Sequence, residues 1–327
     1  MMGEGLGDGA SVWVLADDRA GTRVQAIAVA EALGGPFTIK DIAYAPAAAL
    51  PNALVGASFA GVTAECRAVL APPWPDVVIG AGRRTAPVAR AIKRKSEGRA
   101  MLVQVMHPGR AGIADLDLVA VPRHDLLPPA PNILPITGAP HRVTPEALIA
   151  AASEWRPRFD DLPRPWVALI VGGSTKRRRF TAKMARDLGR RCSAMATAAG
   201  GSLLVTTSRR TGKPADDLVA EITVPCRVFR WGDEGDNPYF GYLACADAVV
   251  VTGDSVSMCA EACAGTAPVY IYAPPGFAID KHMRLHRELY DAGYARPLGE
   301  TLETWHYPPL NAATDIAAEV RRRLGMV

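Results

Sequence analysis

The sequence predicts an α/β fold of two Rossmann-like lobes facing a cleft, and three observations carry that prediction. Short apolar runs alternate with helical patterns along almost all of the 327 residues. A Pro-rich stretch at 157–165 interrupts the series once, and strand–helix–strand order resumes after it. Hydrophobic residues make up 49% and charged residues 21%, which excludes disordered, collagen-like and coiled-coil chains. Repeated strand–helix–strand units imply parallel sheets covered on both faces. The length suits two cores of about 150 residues each. The expected division is a first lobe over 1–145 and a second over 160–311. The last helix, 314–324, suits either lobe, and 312–327 is the candidate addition to the first.

In chain order, 11–15 reads as a strand and 24–33 as a helix ended by Gly34 and Gly35. Further strands are expected at 76–80, 101–106, 118–121 and 133–136, with a helix at 84–94 and a weaker one at 62–70. A helix at 144–155 precedes the Pro-rich divide. Beyond it, strands are expected at 166–171, 202–206, 227–229, 248–251 and 268–272. Helices are expected at 181–199, 215–222, 239–245, 256–264 and 281–292.

Charge and cysteine usage narrow the function. The net charge of +4, from 37 Lys and Arg against 33 Asp and Glu, suits a small anionic ligand. It is too mild for a nucleic-acid binder, and aromatic residues are only 6% with no basic interleaving, so no nucleic-acid partner is expected. Cys66, Cys192, Cys226, Cys245, Cys259 and Cys263 form no CxxC pair, so they read as buried thiols and no metal site is expected. The opening Met1-Met2-Gly3-Glu4-Gly5 has no basic stretch before an apolar one, and no apolar run approaches the roughly 20 residues of a membrane span. The expected location is cytoplasmic, with a peripheral contact at the inner face of the membrane open to it.

Four loops that follow predicted strands carry the candidate chemistry, because open α/β sheets bind ligands at the carboxyl ends of their strands. The first runs Asp17-Asp18-Arg19-Ala20-Gly21-Thr22. Gly21 admits close approach of a ligand, and Asp17 or Asp18 suits a proton acceptor, with Asp18 the favoured candidate, unless either merely caps the helix. The second, Gly172-Gly173-Ser174 followed by Lys176, is a phosphate-cradling arrangement with positive charge beside it. It lacks both the P-loop and the dinucleotide-fingerprint spacing. The third holds Ser208, Arg209 and Arg210, hydroxyl and guanidinium groups suited to a diphosphate. The fourth, Asp254-Ser255-Val256-Ser257-Met258, leads to Glu261, whose carboxylate on a small apolar segment suits a ribose diol.

Together these stretches, with Asn237-Pro238-Tyr239, resemble the mitochondrial-fission Elm family over about residues 11 to 300, the Thr252-to-Met258 stretch being the most specific part. More remotely, the order of motifs is similar to the MurG-type transferases that use UDP-GlcNAc, and so to the GT-B fold. That resemblance implies a donor lobe opened by Gly172-Gly173-Ser174 and a ribose-binding Glu261. It places Asp280, Lys281 and His282 near the donor sugar and an interlobe hinge at Gly138-Ala139-Pro140-His141-Arg142. It also implies catalysis without a bound metal or other cofactor. The His of the transferases' first-lobe Gly-rich loop is absent here, so the proton acceptor stays open between Asp18 and His107.

The expected function is therefore an inverting glycosyltransferase that takes a nucleotide-diphosphate sugar and a lipid or cell-envelope glycan acceptor. One rival is a nucleotide-sugar 2-epimerase or hydrolase. Another is a non-catalytic membrane-associated adaptor, which would use basic surface such as Arg90, Lys93, Arg94 and Lys95 or Arg321, Arg322 and Arg323. A dehydrogenase is a poor third, because the dinucleotide fingerprint is missing.

Overall fold

The computed structural model describes residues 10–326. The opening read for a secretory signal lies outside the described residues. The chain divides into two compact units, one ending at Arg142 and resuming at Ala312, the other Val143–Asn311.

The first unit is built on β1 (Val12–Ala16), β2 (Phe37–Asp41), β3 (Val77–Ala81), β4 (Met101–Val105), β5 (Leu118–Pro122) and β6 (Ile133–Ile136). All pair in parallel, in the order β2-β1-β3-β4-β5-β6. The two-residue period sends Val12 and Val14 to one face and Trp13 and Leu15 to the other. On the first face α1 (Ala20–Leu33) packs with α11 (Ala312–Arg323), through Val29 and Leu33 against Ile316 and Val320. The short helices α2 (Asn52–Val55) and α3 (Ala64–Val69) belong to the same unit, as does α4 (Thr85–Lys95), which covers the second face with Val88 and Ile92.

The second unit holds β7 (Trp166–Val171), β8 (Ser202–Thr207), β9 (Cys226–Phe229), β10 (Ala248–Thr252), β11 (Val269–Tyr272) and β12 (Ala295–Pro297), again all parallel, in the order β12-β11-β10-β7-β8-β9. One face is covered by α8 (Tyr239–Cys245), α9 (Val256–Ala262) and α10 (Asp280–Asp291), with α5 (Pro145–Trp155) packed on α8. The other face is covered by α6 (Ala182–Ala198) and α7 (Pro214–Val219), through Leu188, Cys192, Met195 and Leu218. Thr144, Thr181 and Ser255 cap α5, α6 and α9 with their hydroxyls, the expected device at a helix start.

The structure corrects the sequence reading at three places. Helix α1 begins at Ala20, four residues before the expected start, because the Asp17 carboxylate takes the Arg19 N–H and the chain turns there. Gly21 therefore lies in a helical turn rather than in a loop. Strands β2 and β12 were not expected. Both are edge strands of half-exposed or very short sequence. The connection between the two series yields two sheets in which strand order reverses, between β1 and β3 in the first unit and between β7 and β10 in the second.

Candidate functional site

The reversal point of the second sheet brings three of the predicted loops together. Gly172 N–H donates to Thr252 Oγ1 at 2.7 Å, and Gly173 N–H donates to Asp254 Oδ2 at 3.0 Å, which ties the end of β7 to the end of β10. Arg210 closes the third side, its guanidinium 2.5 Å from Asp254 Oδ2, while its carbonyl accepts the Ser174 N–H at 2.9 Å. The glycines are dictated by this closeness. A Cβ on Gly172 would lie 2.4 Å from the Asp254 carboxylate, and one on Gly173, at φ +145°, would lie 2.2 Å from the Arg210 carbonyl oxygen.

These contacts change the role expected of the Gly-Gly-Ser turn. The N–H groups of Gly172, Gly173 and Ser174 are spent inside the protein, so this turn brings loops together and offers no free donors to a phosphate. Ser208 and Thr211 likewise turn inward, donating to the Gly172 carbonyl at 2.6 and 2.5 Å, and Ser174 Oγ accepts the Phe180 N–H. Ser255 spends its hydroxyl on the cap of α9, where Val256 and Met258 begin the helix. Arg209 is exposed and Ser257 half-buried, and neither makes a side-chain hydrogen bond or ion pair. Lys176 is exposed on the turn after Ser174.

Asp254 is almost wholly buried, and its second oxygen, Oδ1, has no partner. Such an orphaned carboxylate oxygen is costly unless something else supplies a donor. His282, on α10 with Lys281, is half-buried and free of hydrogen bonds; burial pushes its pKa down, with the Asp254 charge opposing. His286, one turn further, hydrogen-bonds the Gly253 carbonyl at 2.9 Å through Nε2, and burial pulls its pKa down to about 4. A Cβ on Gly253 would meet that ring at 2.4 Å.

Glu261 stands on α9 beyond this loop, on a helix whose neighbouring positions Cys259, Ala260 and Ala262 are buried. Tyr239 donates its hydroxyl to Oε2, and Oε1 has no hydrogen-bond partner among the described residues. Burial raises the carboxyl pKa, and the Tyr239 hydrogen bond works against that rise. Burial first, then the facing carboxylate, push the Tyr239 phenol well above its usual range. The result is a desolvated acceptor with one oxygen unspent, the feature a sugar diol needs.

At the reversal point of the first sheet the arrangement is different. Arg84, just past β3, pairs with Asp17 at 2.8 Å and with Asp18, and it lies 4.0 Å over the Tyr44 ring. Tyr44 donates to Asp17 Oδ2 at 2.8 Å. Burial, then Asp17, raise the Tyr44 phenol. Asp17 is buried whereas the Asp18 side chain is 56% exposed, and the Arg84 guanidinium holds the Asp18 carboxyl below its ordinary value. His107, after β4, accepts the Gly109 N–H on Nδ1 at 3.1 Å, so a neutral ring carries its proton on Nε2 and presents a donor there.

Sequence reasoning missed Tyr44 and Arg84 in the first unit and His286 in the second, whereas Asp17, Tyr239 and Thr252 stand in stretches it singled out without their partners. Only Arg84 carried a signal, being two residues beyond a Gly at a predicted strand end. Several of the basic residues offered as a membrane-facing surface are spent within the fold. Arg90 pairs with Asp115, Lys93 with Asp117, and Arg322 and Arg323 with Glu319, while Arg321 donates to the carbonyls of Ala32 and Leu33. Among the described residues no group of three or more His, Cys, Asp or Glu is placed to hold a metal ion, and no helix is long and apolar enough to cross a membrane. Five of the six cysteines are buried, and all are free thiols.

The sequence profile of the family described as Mitochondrial fission ELM1 matches residues 20–324. The Mitochondrial fission protein ELM1 of Arabidopsis thaliana is 30% identical, across 83% of this chain and 69% of that protein. An uncharacterized protein of Rickettsia prowazekii is also 30% identical, across 95% of this chain and 98% of its own length. Among solved structures, UDP-GlcNAc 2-epimerase from Methanocaldococcus jannaschii superposes with a TM-score of 0.53 at 12% identity, covering 96% of this chain and 99% of that one. The enzyme of the same name from Neisseria meningitidis gives 0.51 at 12% identity, covering 96% and 91%. At such identities the likeness establishes the fold, the two-lobed α/β architecture of the GT-B type that the sequence predicts.

Proposed function

Because this chain belongs to the Mitochondrial fission ELM1 family, whose name states a process and no reaction, we propose its chemistry from its own residues: an inverting glycosyltransferase that uses a nucleoside-diphosphate sugar. The carrying observation is Glu261, a desolvated carboxylate with one oxygen held by Tyr239 and the other unspent, beside the reversal point of the second sheet. The ribose hydroxyls donate to Oε1, while Arg209 and the Ser257 hydroxyl meet the diphosphate. An arginine there offsets the charge that grows on the departing diphosphate, an effect typically worth a few kcal/mol.

In this reading the first unit handles the acceptor, a lipid or glycan hydroxyl. Asp18 takes the hydroxyl proton, the oxygen attacks the anomeric carbon, and the bond from that carbon to the diphosphate oxygen breaks with inversion. Asp18 is a carboxylate at neutral pH, and the Arg84 guanidinium lowers its pKa further and orients it. His107 serves less well, since its Nδ1 lone pair is spent on Gly109. The fold likeness to 2-epimerases supports one alternative, in which the same donor is epimerised or hydrolysed without an acceptor.

Calorimetric titration with UDP-GlcNAc and GDP-mannose, on wild type and Glu261→Gln, tests the donor site. Loss of the ionised acceptor is expected to weaken nucleotide-sugar binding by ~10–100-fold. Unchanged affinity in Glu261→Gln removes Glu261 from the ribose. Incubation of the donor alone, with products separated by chromatography, distinguishes transfer from epimerisation or hydrolysis.

A further inference from the structure

Between Asp41 and Asp76 the chain carries two charged residues, Glu65 and Arg67, although charged residues make up 21% of the whole. The first part of that stretch, 42–64, has none and forms a flap after β2. Its inner side places Ile42, Phe59 and Val62 in the core that α4 covers. Its outer side leaves Pro46, Ala49, Leu50, Pro51, Ala53 and Leu54 exposed, Leu54 at 73% and Leu50 at 46%. Single exposed apolar residues are ordinary, but a run of them with no charge among them marks an interaction surface.

Hydrogen bonds tie this flap to the carboxyl ends of three strands. Tyr44 donates to Asp17, just past β1. Arg83, just past β3, donates to the carbonyls of Ala48 and Leu50 at 2.8 and 2.6 Å and to Asn52 Oδ1 at 3.1 Å. The Asn52 amide donates in turn to the carbonyls of Arg83 and Pro108, each at 3.0 Å, and Pro108 follows β4. A braced segment thus presents Leu50 and Leu54 beside the strand ends that carry Asp18 and His107. Arg83 spends its donors on neutral oxygens, so no carboxylate cancels its charge. Arg110, exposed two residues beyond Pro108, has no ion-pair partner among the described residues.

We propose that this flap docks on a lipid bilayer carrying anionic head groups, with Leu50 and Leu54 entering the acyl boundary and Arg83 and Arg110 at the level of the phosphates. An uncharged outer side gives up no solvated charge on leaving water, and leucine side chains gain by the transfer. Guanidiniums beside them meet phosphate oxygens with charge-assisted hydrogen bonds. Docked in this way, the chain presents Asp18 to a hydroxyl held in the membrane, a consequence that rests on the reading of the first unit as the acceptor side.

The test is co-sedimentation of the full chain with vesicles of phosphatidylcholine alone and of phosphatidylcholine mixed with phosphatidylglycerol. Wild type is expected to bind the mixed vesicles more tightly. The Leu50→Gln/Leu54→Gln double variant is expected to lower the partition coefficient at least ~10-fold on both. Arg110→Gln is expected to lower it about fivefold on the mixed vesicles and to leave it unaltered on phosphatidylcholine. All three positions are exposed, so folding is preserved, and an unchanged unfolding midpoint verifies it. An indole introduced by Leu54→Trp is expected to shift its emission to the blue and to be quenched by lipids brominated on the acyl chains. Wild type that binds neither vesicle, a double variant that binds as well as wild type, or an unquenched indole overturns the inference. Self-association that the double variant abolishes, without vesicle binding, overturns it in favour of a second copy. Vesicle binding that needs the leucines, in a chain that binds no nucleotide, leaves this surface standing and removes the transferase reading; nucleotide binding without vesicle binding does the reverse.

Discussion

The two sheets reverse strand order in the same manner, yet their reversal points are furnished in opposite ways. In the first unit side chains meet side chains: Asp17, Asp18, Arg84 and Tyr44 hydrogen-bond one another, two carboxylates sharing one guanidinium. In the second unit glycine backbone meets side chain: Gly172 and Gly173 donate to Thr252 and Asp254, and Arg177, Arg178 and Arg209 stand exposed on the adjoining turns. A closed ion cluster resists an incoming charged ligand, because binding must break pairs already made. A backbone-tied loop edged by exposed arginines accepts an anion with smaller losses. The contrast supports the proposal that a charged donor binds the second unit and a neutral hydroxyl the first.

The largest effect expected to separate the two regions comes from Gly173→Ala. A methyl group 2.2 Å from the Arg210 carbonyl oxygen, at a φ of +145°, must push the loops apart. The strain, about 3 kcal/mol, lowers the unfolding midpoint by roughly 6–12 °C in calorimetry, and nucleotide affinity collapses with it. A normal midpoint and normal affinity would mean that loop closeness is unimportant there.

Acid titration comes next. His286 has a folded pKa near 4, below its unfolded value of 6.5. Between those values the unfolded chain holds a proton that the folded chain refuses, so stability is lost as pH falls through that window. The loss is on the order of 3 kcal/mol at most. Asp18 acts in a lower window: its folded pKa lies beneath the unfolded 3.8, so its contribution is present above that value and disappears only below it. Chemical denaturation at stepped pH is expected to weaken the second unit first, and His286→Gln should flatten the profile between pH 6.5 and 4. A profile that His286→Gln leaves unaltered would contradict the account.

Arg84→Ala is a smaller perturbation, about 2 kcal/mol, since buried Asp17 keeps Tyr44 and the Arg19 N–H as partners. It should leave nucleotide affinity intact and lower transfer rate, a split that titration and turnover assays read separately. Smallest of all is Gly21→Ala. A Cβ there meets nothing within 4 Å, and the residue lies inside α1, so stability should rise by about 0.5–1 kcal/mol with binding unchanged. A loss of affinity would restore Gly21 to the site.

The same contrast explains what was legible in the sequence. Local patterns gave the buried central strands, because β3, β5, β7 and β10 are runs of apolar residues with burial on both faces. They missed β2, whose Phe-Thr-Ile-Lys-Asp is half-exposed at an edge, and β12, three residues ending in Pro. Loops after strands located Asp254, Arg210 and Glu261. Their partners were invisible for a plain reason: Gly173 lies 81 residues from Asp254, and Tyr239 lies 22 residues from Glu261, distances over which no local periodicity speaks. The sequence also suggested that Gly172 and Gly173 free their N–H groups for phosphate. Only coordinates reveal those groups as already bonded.

Hydrogen–deuterium exchange of the full chain, with and without saturating UDP and GDP, tests the assignment of the nucleotide to the second unit most directly. The account predicts slowed exchange in peptides covering 207–212 and 253–262, with the peptide covering 15–22 unaltered. Protection confined to 15–22 and 82–86, or no protection by either nucleotide at concentrations that saturate a millimolar site, would contradict it.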